Sequence, residues 1–347
     1  MAKKAATLEE ALPDQSEFEK ELAEAGLAGF FRKVIDREDM NVECLSIGLP
    51  RLDKILHTSK RGLARGRRME VYSRDPEVGK TSLALQIGVE WQRQKQKVAI
   101  VDIEDTITED YLVELGYILD PDPKTGMFPP YVAKGFDEET GEVLSAEEIA
   151  DKVGAISRIV DLVIVDSIGA LAKRADLEKE TGDSTMGGIG KILFEHCRKN
   201  THVRATSVWI NQALPQIGVF SPAGIKYKTS GGNAIPFFAS IRLELRLVEK
   251  LKRSDDEIYG VVIDVYTAKN KVSPPYKHVK LTYLDGEGFS TTFDAFTQAI
   301  AAKVIEKSGS WFSFKGQRLG QGEEKAYQAL KADPAWMKQV VEALPKE

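Results

Sequence analysis

A strand-like run, Met69-Glu70-Val71-Tyr72, feeds into Ser73-Arg74-Asp75-Pro76-Glu77-Val78-Gly79-Lys80-Thr81-Ser82, and a helix-like run from Leu83 to Gln92 follows. A loop ending in Gly-Lys-Thr between a strand and a helix is the setting of a phosphate-binding loop. Backbone N–H groups at the helix start wrap a phosphate chain, the lysine neutralises terminal phosphates, and the Thr hydroxyl reaches Mg²⁺. Arg74, Asp75, Pro76, Glu77, Val78, Gly79, Lys80, Thr81 and Ser82 are therefore expected to contact a nucleotide, with Thr81 at the metal. The full pattern has Gly at position 74, where this chain has Arg. A bare Gly-Lys-Thr is common by chance, so the other segments must decide.

The length, 347 residues, suits one large domain and a smaller one. Hydrophobic content of 42% and charged content of 29% are those of a globular protein with a core. No apolar run reaches the length of a membrane span, and the first ten residues lack the apolar stretch of a signal peptide. Cys44 and Cys197 lie too far apart in sequence to suggest a disulfide framework. These features predict a cytoplasmic protein with no membrane partner. With a formal charge of −5, any nucleic-acid binding must be local to one surface.

Residues 1–43 read as a mobile start and an amphipathic helix, with Phe18, Leu22, Leu27, Phe30, Phe31 and Val34 near helical spacing and Arg32 and Lys33 late. Periodicity leaves open whether this arm covers its own core or a neighbouring subunit. Residues 44–293 have an α/β pattern. Val98–Asp102, Leu162–Asp166 and Ser207–Asn211 are short continuous apolar runs, suited to strands of a parallel sheet buried on both faces. Ile241–Leu247 alternates, and Val261–Tyr266 and Val279–Tyr283 follow, predicting an antiparallel extension with one wet face. Residues 117–145 hold four prolines and three glycines and read as a surface loop or hairpin. Residues 294–347 read as a small module of short helices and hairpins around Trp311, Phe312 and Phe314.

Asp161-Leu162-Val163-Ile164-Val165-Asp166 places a carboxylate at the tip of a buried strand, where such a group supports Mg²⁺. A strand ending in Asp is common, but together with Lys80 the signal is far stronger. The strand from Val98 reads as running to Glu104, ending Asp102-Ile103-Glu104, and a carboxylate at such a strand end can polarise an attacking water. With Asp105, Glu109 and Asp110 nearby, the residues alone favour a solvated acidic loop. Asn211-Gln212 ends the next strand, and an amide there can hydrogen-bond a γ-phosphate or merely cap the strand. The segment from Ala213 to Asn233 carries Phe220, Lys226, Tyr227 and Lys228, cationic and stacking groups that suit single-stranded nucleic acid. Structureless loops of that length are usually functional. Lys60–Arg68 is the most basic run and reads as a solvated turn before a strand. The four histidines have no ligand spacing, so no metal other than Mg²⁺ is expected.

Taken in order, these segments resemble the bacterial RecA recombinase family over roughly residues 40–335. The most specific matches are Asp166-Ser167-Ile168-Gly169-Ala170-Leu171, Thr181-Gly182-Asp183-Ser184-Thr185-Met186-Gly187 and Ile210-Asn211-Gln212. Ile217-Gly218-Val219, Gly231-Gly232-Asn233-Ala234, Lys269-Asn270-Lys271 and Gly309-Ser310-Trp311 are equally telling. The resemblance implies a RecA-like P-loop core with a mostly parallel sheet extended by antiparallel strands, an N-terminal helical oligomerisation arm and a small C-terminal α+β domain. It also implies an ATP-dependent helical filament on single-stranded DNA that pairs with duplex DNA and exchanges strands. Glu104 then becomes the water-activating residue, Gln212 the γ-phosphate sensor and Tyr111, seven residues after Glu104, the adenine-stacking tyrosine. Lys269 and Lys271 resemble lysines that reach ATP on the next subunit, and Phe237 resembles a relay of nucleotide state across the subunit boundary. Residues 176–186 (including Thr181, Gly182, Asp183, Ser184 and Met186) and 213–230 (including Ile217, Gly218, Val219, Phe220, Lys226 and Lys228) resemble two DNA-binding loops, and Gly231, Gly232 and Asn233 close the second.

The chain departs from the family pattern at Arg74 and at the bulky Glu77 and Val78, which is consistent with slow ATP hydrolysis. It also has a longer segment at 117–145, little acidic tail, and Ala213-Leu214-Pro215-Gln216 in place of a more basic stretch. A nucleotide-binding DNA filament or accessory protein with little hydrolysis remains the alternative. A ring-forming helicase on the same core leaves the Gly-Gly-Asn-Ala and Gly-Ser-Trp segments unexplained.

Overall fold

The computed structural model describes residues 15–28, 30–31, 41–121, 123–178, 188–216, 226–253 and 256–345. The chain divides into two compact units, Met1–Glu43 and Cys44–Glu347. The first holds one described helix, α1 (Gln15–Glu24). It is shorter than the apolar spacing predicted, because Gly26 adopts a left-handed φ of 70° that closes the helix just past Glu24. Phe18, Leu27, Phe30 and Phe31 are exposed. Arg32, Lys33 and Val34 lie outside the described residues.

The second unit opens with β1 (Cys44–Leu45), α2 (Pro50–Leu56), β2 (Leu63–Ala64), β3 (Arg68–Ser73) and α3 (Lys80–Arg93). It continues with β4 (Val98–Asp102), α4 (Glu109–Leu115), β5 (Tyr131–Lys134), α5 (Ala146–Ile156), β6 (Leu162–Asp166), α6 (Arg174–Leu177) and α7 (Ile189–Lys199). Next come β7 (Thr206–Pro215), β8 (Tyr227–Thr229), α8 (Ala234–Phe238), β9 (Ile241–Lys252), β10 (Ile258–Asn270), β11 (His278–Leu284) and β12 (Gly288–Phe289). The chain ends with α9 (Thr291–Ala301), β13 (Ile305–Ser308), β14 (Trp311–Phe314), β15 (Gln317–Gln321), α10 (Glu323–Lys331) and α11 (Pro334–Ala343).

The main sheet runs β12-β11-β10-β9-β3-β7-β6-β4-β5. From β9 to β5 neighbours are parallel, and from β9 to β12 they are antiparallel. The continuous apolar runs are strands buried on both faces. Ile100, Ile164, Val208 and Ile210 pack with Leu83, Ile87 and Trp91 of α3, while Val101, Val163, Val165 and Trp209 face α5 and α7 through Val153, Leu193 and Cys197. Burying one such side chain contributes about 1.5–3 kcal/mol, so each layer is fixed on the sheet by hydrophobic burial. α5 starts at a capping box: Ser145 accepts from Glu148 N–H, and the Glu148 carboxylate accepts from Ser145 N–H.

Two expectations change. The Pro- and Gly-rich segment at 117–145 is more than a loop, since its Tyr131–Lys134 run pairs in parallel with β4 as the sheet edge. The strand predicted to end at Asn211-Gln212 runs on to Pro215, because β8 returns against it with Ala213 opposite Thr229 and Pro215 opposite Tyr227. The C-terminal strands β13, β14 and β15 form a separate antiparallel sheet, with its own core of Phe296, Phe312, Phe314, Tyr327 and Leu330.

Candidate functional site

Parallel strands β3, β4, β6 and β7 end on one side of the sheet, and the loops beyond them surround a cleft of about 400 Å³. Ligands bind at strand C-terminal ends in sheets of this kind. Pro76, Glu77, Val78, Gly79, Lys80, Thr81 and Ser82 line the cleft, together with Glu104, Asp166, Ser167, Asn211 and Gln212. Gly79 begins α3 with a left-handed φ of 75°, and a Cβ there would lie 3.3 Å from the Phe289 ring. Only glycine fits both the turn and the packing. The open N-terminus of α3 then presents backbone N–H groups to an anion. Glu77 is a non-glycine residue at φ 54°, a strained conformation at the rim of the cleft.

Thr81 Oγ1 donates to Asp166 Oδ2 at 2.6 Å. Burial pushes the Asp166 carboxyl up to about 6 against the Thr81 hydrogen bond, and the negative charges of Glu104 and Asp102 add to the rise. Burial also lowers the Lys80 ammonium from its ordinary value, and Asp166, Glu104 and Asp75 draw it back. A hydroxyl, a carboxylate and an adjacent lysine are hard oxygen and cationic groups suited to phosphate with Mg²⁺. Among the described residues no three His, Cys, Asp or Glu side chains could hold a metal alone. The Thr81 hydroxyl and Asp166 carboxylate supply two adjacent oxygen donors, which fits a cation shared with substrate oxygens and water.

Glu104 is exposed at the mouth of the cleft, and its Oε1 accepts a hydrogen bond from Ser167 Oγ. Behind it, the buried Asp102 accepts from Ile107 N–H at 2.9 Å and pairs with Lys134 Nζ at 2.9 Å. Gln212 is also exposed and lies beside Ser73 in the β3–β7 register. Its carbonyl accepts from Ser230 N–H at 3.1 Å, and the neighbouring Asn211 amide donates to Ser230 O at 3.0 Å and to the buried Glu70 at 2.8 Å. The strand carrying the amide is thus joined directly to the segment that returns from the second loop.

Several predicted residues lie outside the cleft wall. Arg74 and Asp75 turn towards β9: Arg74 Nε lies 3.0 Å from Glu244, and Asp75 Oδ2 accepts from Leu247 N–H at 3.4 Å. Tyr111, on α4, shares a 2.7 Å hydrogen bond with Ser82 Oγ. Lys269 Nζ donates to the carbonyls of Pro236 and Phe237 at 2.7 and 2.9 Å, and Phe237 is exposed. Lys271 follows at the end of β10, and its N–H donates to Ser240 O. Lys226 and Lys228 are exposed at the base of the β7–β8 hairpin. Gly231 has a left-handed φ of 73°, and a Cβ on it would meet Ile168 and Leu193 at 2.8 Å. Gly232 shares that φ, and Asn233 occupies the N-cap position of α8 without a side-chain capping hydrogen bond. Thr181, Gly182, Asp183, Ser184, Met186, Ile217, Gly218, Val219 and Phe220 lie outside the described residues.

The sequence reading missed Ser167 as a partner of Glu104, and also missed Val261 and Tyr283, which line the cleft from β10 and β11. Ser167 directly follows Asp166, at the tip of β6, and that adjacency was the local signal for it. No helix among the described residues is long and apolar enough to cross a membrane.

Residues 15–290 match the RecA N-terminal domain and residues 294–346 the RecA C-terminal domain. The chain is 35% identical over 317 residues to Protein RecA of Fusobacterium nucleatum, covering 90% of this chain and 79% of that protein. It is 37% identical over 309 residues to Protein RecA of Chlorobium limicola, covering 87% and 81%. With Protein RecA of Campylobacter lari it shares 33% over 326 residues, covering 91% and 88%.

Proposed function

This chain belongs to the RecA family of ATP-dependent DNA recombinases, and from that premise we propose how its cleft couples ATP hydrolysis to a grip on DNA. The supporting observation is the convergence of Lys80, Thr81, Asp166, Glu104 and Gln212 on one cleft at the strand ends. ATP is the substrate. Its phosphates lie over the N-terminus of α3, where Lys80 offsets their charge. Thr81 and Asp166 would hold Mg²⁺, which would neutralise charge on the phosphate oxygens. Glu104, oriented by Ser167, accepts a proton from the attacking water as the bond to ADP breaks.

Gln212 contacts the γ-phosphate from a strand hydrogen-bonded to Ser230, so the contact is felt at the base of the β7–β8 hairpin. Lys226 and Lys228 on that hairpin bind the backbone of single-stranded DNA, with the loop segments 176–186 and 213–230 completing the surface. Lys269 and Lys271 reach ATP bound on the next protomer. A head-to-tail contact that does not close produces a helical filament. Residues 1–43 serve as the oligomerisation arm, 44–293 as the ATPase core and 294–347 as the small C-terminal domain.

A strand-exchange assay with and without ATP tests this reading. Joint molecules between single-stranded and homologous duplex DNA should form only with ATP. Equal assembly on oligonucleotides with and without nucleotide would overturn it.

A further inference from the structure

Arg74 stands where the phosphate-loop pattern has glycine, so it brings a side chain to a position that otherwise carries none. That side chain does not line the cleft. Its guanidinium carbon lies 4.7 Å from the centroid of the Tyr227 ring, and its Nε lies 3.0 Å from Glu244. Glu244 is nearly fully buried and its Oε2 accepts from Arg246 at 2.7 Å, so its carboxylate is held in place as the ion-pair partner of Arg74. Tyr227 lies on β8 between the exposed Lys226 and Lys228. Strand β7, which carries that hairpin, pairs with β3 up to Ser73, one residue before Arg74. The phosphate loop and the base of the hairpin therefore leave adjacent strands, and Arg74 bridges them.

The geometry points to Arg74 as a positioning residue that clamps the Lys226-Tyr227-Lys228 hairpin to the phosphate loop through the Tyr227 ring, giving nucleotide a second route, beside Gln212, to DNA affinity. A planar guanidinium suits this position because it can stack on an aromatic face and pair with a carboxylate at once. Displacement of the phosphate loop by nucleotide then moves the lysines directly, whereas the Gln212 route acts through the strand. The inference rests on the functional reading above.

The test measures the affinity of full-length protein for a fluorescent oligothymidylate by anisotropy, with and without a slowly hydrolysed ATP analogue. Its readout is the ratio of the two affinities. Arg74→Ala and Tyr227→Leu should each lower that ratio by about three- to tenfold, the effect of a partly exposed cation–π contact. Tyr227→Phe keeps the ring face and should keep the wild-type ratio. The double variant Arg74→Ala with Tyr227→Leu should be no worse than the weaker single variant. An unchanged ratio in Arg74→Ala, multiplied losses in the double variant, or a Tyr227→Phe that behaves like Tyr227→Leu would each overturn the clamp alone. A wild-type protein whose affinity ignores nucleotide would overturn the functional reading as well.

Discussion

Thr81 Oγ1 donates to Asp166 Oδ2 at 2.6 Å, which ties the first turn of α3 to the C-terminal tip of β6. Asp166 is a buried carboxyl, with its pKa raised by burial from 3.8 to about 6. The sign is opposite to that of a salt-bridged acid. Below the unfolded value of 3.8 the group costs the fold nothing, the cost grows as pH rises towards 6, and above 6 it is present in full. In the proposed mechanism the ionised form is the one required, so ATP turnover should fall as the pH drops, with a midpoint below about 6 when Mg²⁺ is bound. A cation beside the carboxylate favours ionisation, so more Mg²⁺ should move the midpoint to lower pH. Phosphate release measured across this range at two Mg²⁺ concentrations checks the assignment. A midpoint that ignores Mg²⁺ would assign the titration to another group.

The hydrogen bond from Ser167 to Glu104 separates a chemical role from a positioning role. Glu104→Gln should lower DNA-stimulated turnover by about 10²–10⁴-fold, the range for loss of a general base. Ser167→Ala leaves the base present but unoriented and should cost about tenfold in kcat, in line with a hydrogen bond to a charged group. KM for ATP should change little in Ser167→Ala. Steady-state kinetics on both variants decide the matter, and equal rates in wild type and Glu104→Gln would remove Glu104 from its role.

Glu77 combines a left-handed backbone with a carboxylate at the proposed phosphate site. Glycine adopts φ 54° without the Cβ penalty, which amounts to about 1–2 kcal/mol for an ordinary residue. Glu77→Gly should therefore raise the melting temperature or leave it unchanged, and should tighten ATP binding by removing a like charge. Calorimetric titration with ATP compares the two proteins. Unchanged binding would show that the carboxylate faces away from the phosphates in the complex, and weaker binding would show that Glu77 supports the loop.

The parts of this architecture set by local pattern were readable in the sequence. Leu162–Asp166 is a strand with the expected end, since a continuous apolar run leaves little alternative to a strand with both faces covered, whereas β4 stops at Asp102, two residues before the expected Glu104. Lys80, Thr81 and Asp166 followed because strand tips and helix starts place their side chains predictably. The relationships that depend on distant partners were hidden. Ser167 meets Glu104 across 63 positions, and Arg74 turns from the cleft because a buried Glu244 waits on β9. Strand β5 was masked by the prolines and glycines around it, and the extension of β7 depended on a partner strand contributed by the supposed loop.

Lys226 and Lys228 flank Tyr227 at the base of the hairpin, both exposed, in a chain whose overall charge is −5. An acidic protein can hold a polyanion only through such local cations. Each phosphate neutralised on a single strand releases condensed counterions and contributes about −0.7 to the slope of log affinity against log salt. Lys226→Ala combined with Lys228→Ala should weaken oligothymidylate binding and make that slope shallower by about 1.4, the share of two contacts. Binding isotherms at several salt concentrations, with the slowly hydrolysed ATP analogue present, measure both effects together. A variant that binds more weakly with an unchanged slope would have lost hairpin structure and not phosphate contacts, and an unchanged affinity and slope would place the DNA elsewhere on the protein.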